Sequence, residues 1–222
     1  MDKTVSGIDS FAFSKNTTIT SVTMPNTVTK VGDSAFADAT NLLSAKLSEN
    51  CTDVGICLFQ GCTSLKSVDL NSKITLINAQ MFYKCSSIES IVIPDTVNKI
   101  GNYAFSECSS LKSVYIPSSV TEISRSAFRK TASVTIKGSY GSYAEEYAKA
   151  NNIPFEGISA YDVGDVNMDG GINILDATLV QKYVVGIVEL SAEQKHLADY
   201  NNDGDITVVD ATEIQKFIVH LN

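Results

Sequence analysis

Six phenylalanines, Phe13, Phe36, Phe59, Phe82, Phe105 and Phe128, fall 23 residues apart. No other feature of the chain restricts its fold so tightly, because further positions travel in phase with them. Ser21, Ser44, Ser67, Ser90 and Ser113 each open a short run: "SVTMP", "SAKLS", "SVDLN", "SIVIP" and "SVYIP". Leu42, Leu65, Ile88 and Leu111 precede those runs by two residues, and Val31, Val54, Ile77, Ile100 and Ile123 follow at a fixed offset. A period held over more than five units marks a solenoid. One unit cannot bury its own apolar side, so the core must come from stacking neighbours. The alternation in "SVDL" and "SIVI" predicts a strand with one face in and one face out. The stretch "GNYAFSEC" is too short for a long helix and predicts a tight turn or a single helical turn.

Residue types within the repeat limit its chemistry. Residues 1–159 contain no His, which excludes His-assisted Ser or Cys nucleophiles there. No pair of carboxylates is set apart by the repeat, so hydrolysis by such a pair has no support. Cys62, Cys85 and Cys108 occupy one repeat position and are expected to stack as small buried groups, not to converge as metal ligands. With Cys51 and Cys57 they make an odd count of five, which is not a disulfide framework. The outward strand positions carry the Ser column and then Thr23, Lys46, Asp69, Val92 and Tyr115. That varied column is where a solenoid would hold a protein or glycan ligand. It would equally suit a plain spacer.

Charge divides the chain. Residues 1–159 hold 14 acidic and 14 basic side chains, whereas residues 160–222 hold 11 and 3, so the last stretch carries the whole net charge of −8. An acidic chain of this kind argues against nucleic acid as a partner. No apolar run approaches the roughly 20 residues that span a bilayer, and "MDKTVSGIDS" does not read as a signal peptide.

Within the acidic stretch, "DVNMDGGINILD" places Asp165, Asn167, Asp169, Gly171, Asn173 and Asp176 at positions 1, 3, 5, 7, 9 and 12, with Gly170 at position 6. This is the twelve-residue calcium-loop spacing. Calcium takes six to eight oxygens, alternate side chains of a tight loop converge on one point, and Gly at position 6 permits the sharp turn. Position 7 offers its carbonyl, so its side chain is free to vary. The pattern recurs 34 residues later as Asp199, Asn201, Asp203, Asp205, Thr207 and Asp210, with Gly204 in register. Ile172 and Ile206 share position 8, where an apolar residue joins two such loops. Two Ca2+ ions would offset about half of the local charge, and without them the segment is expected to repel itself and fold poorly.

The repeat unit "IPDTVNKIGNYAFSECSSLKSVYIP" resembles the BspA-like leucine-rich repeats of bacterial surface proteins over roughly residues 5–136. The segment "GSYGSYAEEYAKANNIPFEGI" resembles their closing element. Ser142 and Glu145 have capping-box spacing, and Asn151–Asn152 can end a short helix. Because the chain opens in mid-repeat, its start is expected to be a cut in a longer array.

Position 12 is Asp in both acidic loops, no helical period leads into the first, and the near-copies "DATLVQKYVV" and "DATEIQKFIV" follow them. Residues 163–222 therefore resemble a type I dockerin, the module that plugs proteins into cohesin modules of a cellulosome scaffoldin. In that family, loop positions 10 and 11 and helix positions 17 and 18 contact the cohesin. Here these are Ile174, Leu175, Gln181 and Lys182, and Val208, Val209, Gln215 and Lys216. Thr178, Leu179, Thr212 and His220 are assigned to the same face. Members often carry Ser-Thr and basic pairs at these positions, so this chain implies a more apolar interface. On helical spacing Ala177, Val180 and Val184 form one inward stripe, and Ala211, Ile214 and Ile218 another. The duplication allows docking in two orientations. Leu179 against Glu213, and Gly186 against His220, break the symmetry. Between the loops, Ser191 and Gln194 predict a capped middle helix.

The expected organisation is two domains. Residues 1–157 form a β-rich leucine-rich-repeat solenoid with a C-terminal cap, residues 158–162 a linker, and residues 163–222 a small all-α dockerin with two calcium-binding loop-helix (F-hand) motifs. The resemblance implies a secreted, extracellular, non-catalytic cellulosome component from an anaerobic bacterium, where free thiols survive. Its partner is a cohesin, and its repeats serve recognition, adhesion or display. The alternative is the C-terminal part of a cellulosomal enzyme whose catalytic domain lies upstream. A calcium-responsive regulator is disfavoured by Asp at position 12 and the missing entering helix.

Overall fold

Stacking turns the 23-residue period into a spine. The computed structural model describes residues 5–70, 73–131 and 133–219. Successive rings of Phe13, Phe36, Phe59, Phe82, Phe105 and Phe128 have centroids 5.2–5.8 Å apart and interplanar angles of 5–24°. That step is close to the separation of hydrogen-bonded strands, so one ring per turn stacks, offset, on the next. Phe36, Phe59, Phe82 and Phe105 are fully buried.

The expected strands follow one another as two parallel stacks, first β2 (Ser21–Thr23), β4 (Ser44–Lys46) and β6 (Ser67–Asp69), then β8 (Ser90–Val92), β10 (Ser113–Tyr115) and β12 (Thr135–Ser139). Residues one repeat apart are direct partners, as in Ser21↔Ser44 and Ser90↔Ser113. Val22, Ala45, Val68, Ile91 and Val114 point inward, while Thr23, Lys46, Asp69 and Val92 are exposed and Tyr115 is half-exposed. A second series of strands was not foreseen. It comprises β1 (Gly7–Ile8), β3 (Lys30–Val31), β5 (Asp53–Val54), β7 (Leu76–Ile77), β9 (Lys99–Ile100) and β11 (Glu122–Ile123). These strands have two residues each, too few for alternation to register in the sequence, yet they carry the fixed-offset Val and Ile inward.

Around "GNYAFSEC" and its equivalents the chain makes turns, not a helix. Left-handed backbone recurs in phase there, at Ser34, Cys57, Gln80 and Tyr103 and at Asp38, Gly61, Lys84, Glu107 and Lys130. Cys62, Cys85 and Cys108 are buried and donate Sγ–H to the carbonyls of Phe36, Phe59 and Phe82 at 3.0, 3.1 and 3.0 Å. Thr131 continues that column by donating to the Phe105 carbonyl at 2.6 Å. Burial pushes the Cys62 and Cys108 thiols up to about 12, and Cys85 well above its ordinary value. Outside, Lys30–Asp53, Lys46–Asp69, Lys99–Glu122 and Lys112–Glu89 pair one repeat apart at 2.6–3.0 Å. Such exposed pairs add little stability each, but they favour the native register.

Helix α1 (Tyr143–Ala150) closes the array. Ser142 accepts from the Glu145 N–H, Glu145 itself takes Lys149 Nζ at 2.6 Å, and Asn151 is the C-cap, with Asn152 left-handed beyond it. Tyr147 sets its ring 6.1 Å from Phe128, tilted by 54°, and ends the spine.

The chain divides into two compact units, Met1–Gly138 with Ser142–Glu156, and Ser139–Gly141 with Gly157–Asn222. The second holds α2 (Ile174–Val184), α3 (Ala192–Ala198) and α4 (Val208–Ile218). Its core is Val166, Ala177, Val180, Leu190, Ala198, Ala211 and Ile214. Both Ser191 and Gln194 act in the α3 capping box.

Candidate metal centres and partner face

The two acidic loops have the same hydrogen-bond plan. In the first, Asp165 accepts the Asp169 N–H at 3.1 Å and the Gly170 N–H at 2.9 Å. Asp199 does the same for Asp203 and Gly204 at 3.1 and 3.0 Å. Asn167 and Asn201 accept from those same Asp N–H groups, both at 2.9 Å. Asp169 and Asp203 accept from Gly171 and Asp205 at 3.1 and 2.9 Å. Gly170 and Gly204 sit at φ +94° and +92°. A Cβ there would meet nothing within 4 Å, so backbone conformation, not space, calls for Gly.

Position 12 fastens each loop to its helix. Asp176 accepts from Asn167 N at 2.9 Å and Asn173 N at 2.8 Å. Asp210 accepts from Tyr200 N at 3.0 Å, Asn201 N at 3.3 Å and Thr207 N at 2.9 Å. Both carboxylates are fully buried, and Asp165 nearly so. None pairs with a cationic side chain among the described residues. Buried carboxylates held by N–H groups and, at Asp210, by the Thr207 hydroxyl at 3.3 Å, with no cationic side chain beside them among the described residues, suit a divalent cation. Among the described residues no three Asp, Glu, His or Cys side chains form a ligand set by themselves. Each site would therefore also draw on Asn167 or Asn201 and on the main-chain carbonyl at Gly171 or Asp205.

Position 9 has a role that ligand spacing hides. Asn173 and Thr207 are the N-caps of α2 and α4, accepting from Leu175 N and Val209 N at 2.9 and 3.1 Å. With those oxygens turned toward the helix, a ligand role fits best through a water, as is common at this position. The signal was present as Asn or Thr three residues before Asp, a capping box. Ile172 and Ile206 both pack against the helical core.

The partner-face residues divide by burial. Ile174, Leu175, Val208 and Val209 are exposed, and so are Gln181, Lys182, Thr212 and Lys216. Thr178 and Gln215 are half-buried, and Thr178 and Thr212 donate back to the carbonyls of Ile174 and Val208, both at 2.8 Å. Leu179 packs against the core, while Val184, expected inward, is exposed where α2 ends. His220 lies outside the described residues.

The profile of the BspA type leucine rich repeat region matches residues 2–137 in six copies. The chain belongs to the BspA-type leucine-rich repeat family. A type I dockerin domain follows at residues 163–219. Type I dockerins generally bind calcium, and a dockerin implies a cohesin partner. Among solved structures, a leucine rich cell surface protein from Faecalibacterium prausnitzii is 27% identical with a TM-score of 0.53, over 64% of this chain and 33% of that one. The leucine rich repeat protein of T. pallidum is 21% identical with a TM-score of 0.53, over 72% and 83% of the two chains. The pneumococcal vaccine antigen PcpA is 17% identical with a TM-score of 0.51, over 64% and 42%. The chain thus spans about a third of the Faecalibacterium protein. No curated protein matches the chain. Among the described residues no helix is long and apolar enough to cross a membrane.

Proposed function

We propose that this BspA-type protein is a non-catalytic, extracellular cellulosome component that docks through its dockerin onto a scaffoldin cohesin, with two Ca2+ ions holding the docking helices. The repeat domain presents a recognition surface for a protein or glycan. The observation that carries the docking reading is the repetition of one arrangement. Exposed apolar pairs, Ile174–Leu175 and Val208–Val209, open two helices of equal length, each N-capped and clamped by a buried Asp from its loop. Aliphatic side chains exposed in pairs beside a polar Gln-Lys rim suit the core-and-rim pattern of an interface. The bulk calcium chemistry lies in each loop, and its effect on binding is to fix the helix start.

The test is calorimetry of the full chain against a panel of cohesins, first in calcium and then in chelator. Binding of at least one cohesin that disappears with chelator is expected, and retained binding in chelator would overturn the calcium mechanism. Leu175→Asp with Lys182→Ala leaves the second face intact. If that pair abolishes binding, two equivalent docking orientations are ruled out.

A further inference from the structure

The chain has only two arginines, Arg125 and Arg129, and they sit in the last repeat turn. The equivalent positions one repeat earlier hold Asn102 and Ser106. Lysines of the array are largely engaged in pairs with the acids of neighbouring turns. The two guanidinium groups are exposed and make no ion pair or side-chain hydrogen bond among the described residues. Both line one open groove of about 700 Å³ between the last turns and the end of α1, together with Tyr103, Asn102, Asn151 and Asn152.

The acids around the groove leave the guanidinium groups available. Glu107 borders the adjoining groove with Arg129, but its carboxylate is held by Lys130 at 3.2 Å and Lys84 at 4.0 Å. Glu146 shares a separate recess with Arg125 and makes no ion pair with it. The side chains of Tyr103 and Asn152 are likewise without hydrogen-bond partners among the described residues. The groove therefore combines two planar five-donor cations, amide groups and three aromatic residues, Tyr103, Phe128 and Tyr147, of which Tyr103 has a phenol with no hydrogen bond among the described residues. Guanidinium groups match the two oxygens of a carboxylate or sulfate. Amides and a phenol suit a ligand dense in hydroxyl groups.

We infer that this groove binds an anionic oligosaccharide, its acid group, a carboxylate or a sulfate ester, held between Arg125 and Arg129. This deepens the recognition reading of the repeat domain and rests on it. A nucleic acid fits less well, because residues 1–159 carry no net positive charge to attract a polyphosphate.

The experiment titrates the full chain with trigalacturonate, a sulfated trisaccharide, cellotriose and triglutamate at low salt, following chemical shifts of the repeat domain. Binding by one of the two anionic sugars is expected, and which of them binds identifies the acid group. The Arg125→Gln, Arg129→Gln variant should weaken it at least tenfold, and rising salt should weaken it in the wild type. No binding of either anionic sugar, undiminished binding by the double variant, or equal binding of cellotriose or triglutamate would each overturn the inference. Because neither guanidinium group pairs with another side chain among the described residues, the variant should fold as the wild type does, which circular dichroism checks. Cohesin affinity measured on the same samples separates this outcome from the docking reading, since it should be unchanged.

Discussion

Asp176→Ala removes the buried carboxylate by which α2 holds the first acidic loop. Its carboxylate is fully buried and accepts N–H groups of Asn167 and Asn173 at 2.9 and 2.8 Å. Hydrogen bonds to a charged acceptor contribute about 1.5–3 kcal/mol each, and a buried donor left alone costs its desolvation. The Asn173 bond is itself half of the α2 capping box. The two bonds together, about 3–6 kcal/mol, rival the whole stability of a module this small. At about 4–8 °C per kcal/mol for such a domain, the midpoint should fall by at least ~12 °C. Far-ultraviolet circular dichroism reads this selectively, because the second unit has helices of 11, 7 and 11 residues and the repeat unit one of 8. Melts in millimolar calcium would compare the variant with Asp162→Ala, which alters an exposed neighbour. A midpoint within ~4 °C of wild type for Asp176→Ala would refute the reasoning, since less than ~1 kcal/mol would then pass through that carboxylate.

Phe82→Ala should cost about 3–5 kcal/mol, because the ring is fully buried with neighbours at 5.8 and 5.4 Å. Phe13→Ala, at the partly exposed end with one neighbour, should cost far less, and urea unfolding of both variants compares them. With Ellman's reagent at mildly alkaline pH, the half-buried Cys57 should react first among the five thiols, and the buried four only on unfolding. The folded thiols of Cys62 and Cys108 titrate near 12 because burial disfavours the thiolate, whereas unfolded thiols titrate near ~8.5. Above that value the unfolded chain holds fewer protons, so stability should be lost as pH rises between about 8.5 and 12, and pH-dependent urea midpoints of the repeat domain measure it.

What was legible in the sequence depended on repetition. One phenylalanine says little, but six in register required a stack, and the Cys column could be placed by the same phase. The two-residue strands escaped because a pattern needs length, and Val31 or Ile77 alone reads only as a buried position. In the acidic loops, ligand spacing was plain. The capping duty of Asn173 and Thr207 was masked by the same residue types serving both purposes. Val184 was misjudged because helical periodicity runs to the last residue of α2, where the packing has already ended. The Arg125–Arg129 groove had no pattern to announce it, since it arises where the repeat ends.

The spine also makes the repeat domain a ruler. Each 23-residue unit advances the stack by one ring spacing of 5.2–5.8 Å and repeats the same columns. Excising or duplicating one whole unit from the middle should therefore shorten or lengthen the domain by a single graduation while keeping its columns in register. Reach then becomes a quantity that recombination can adjust in fixed increments, independently of what either end of the array does.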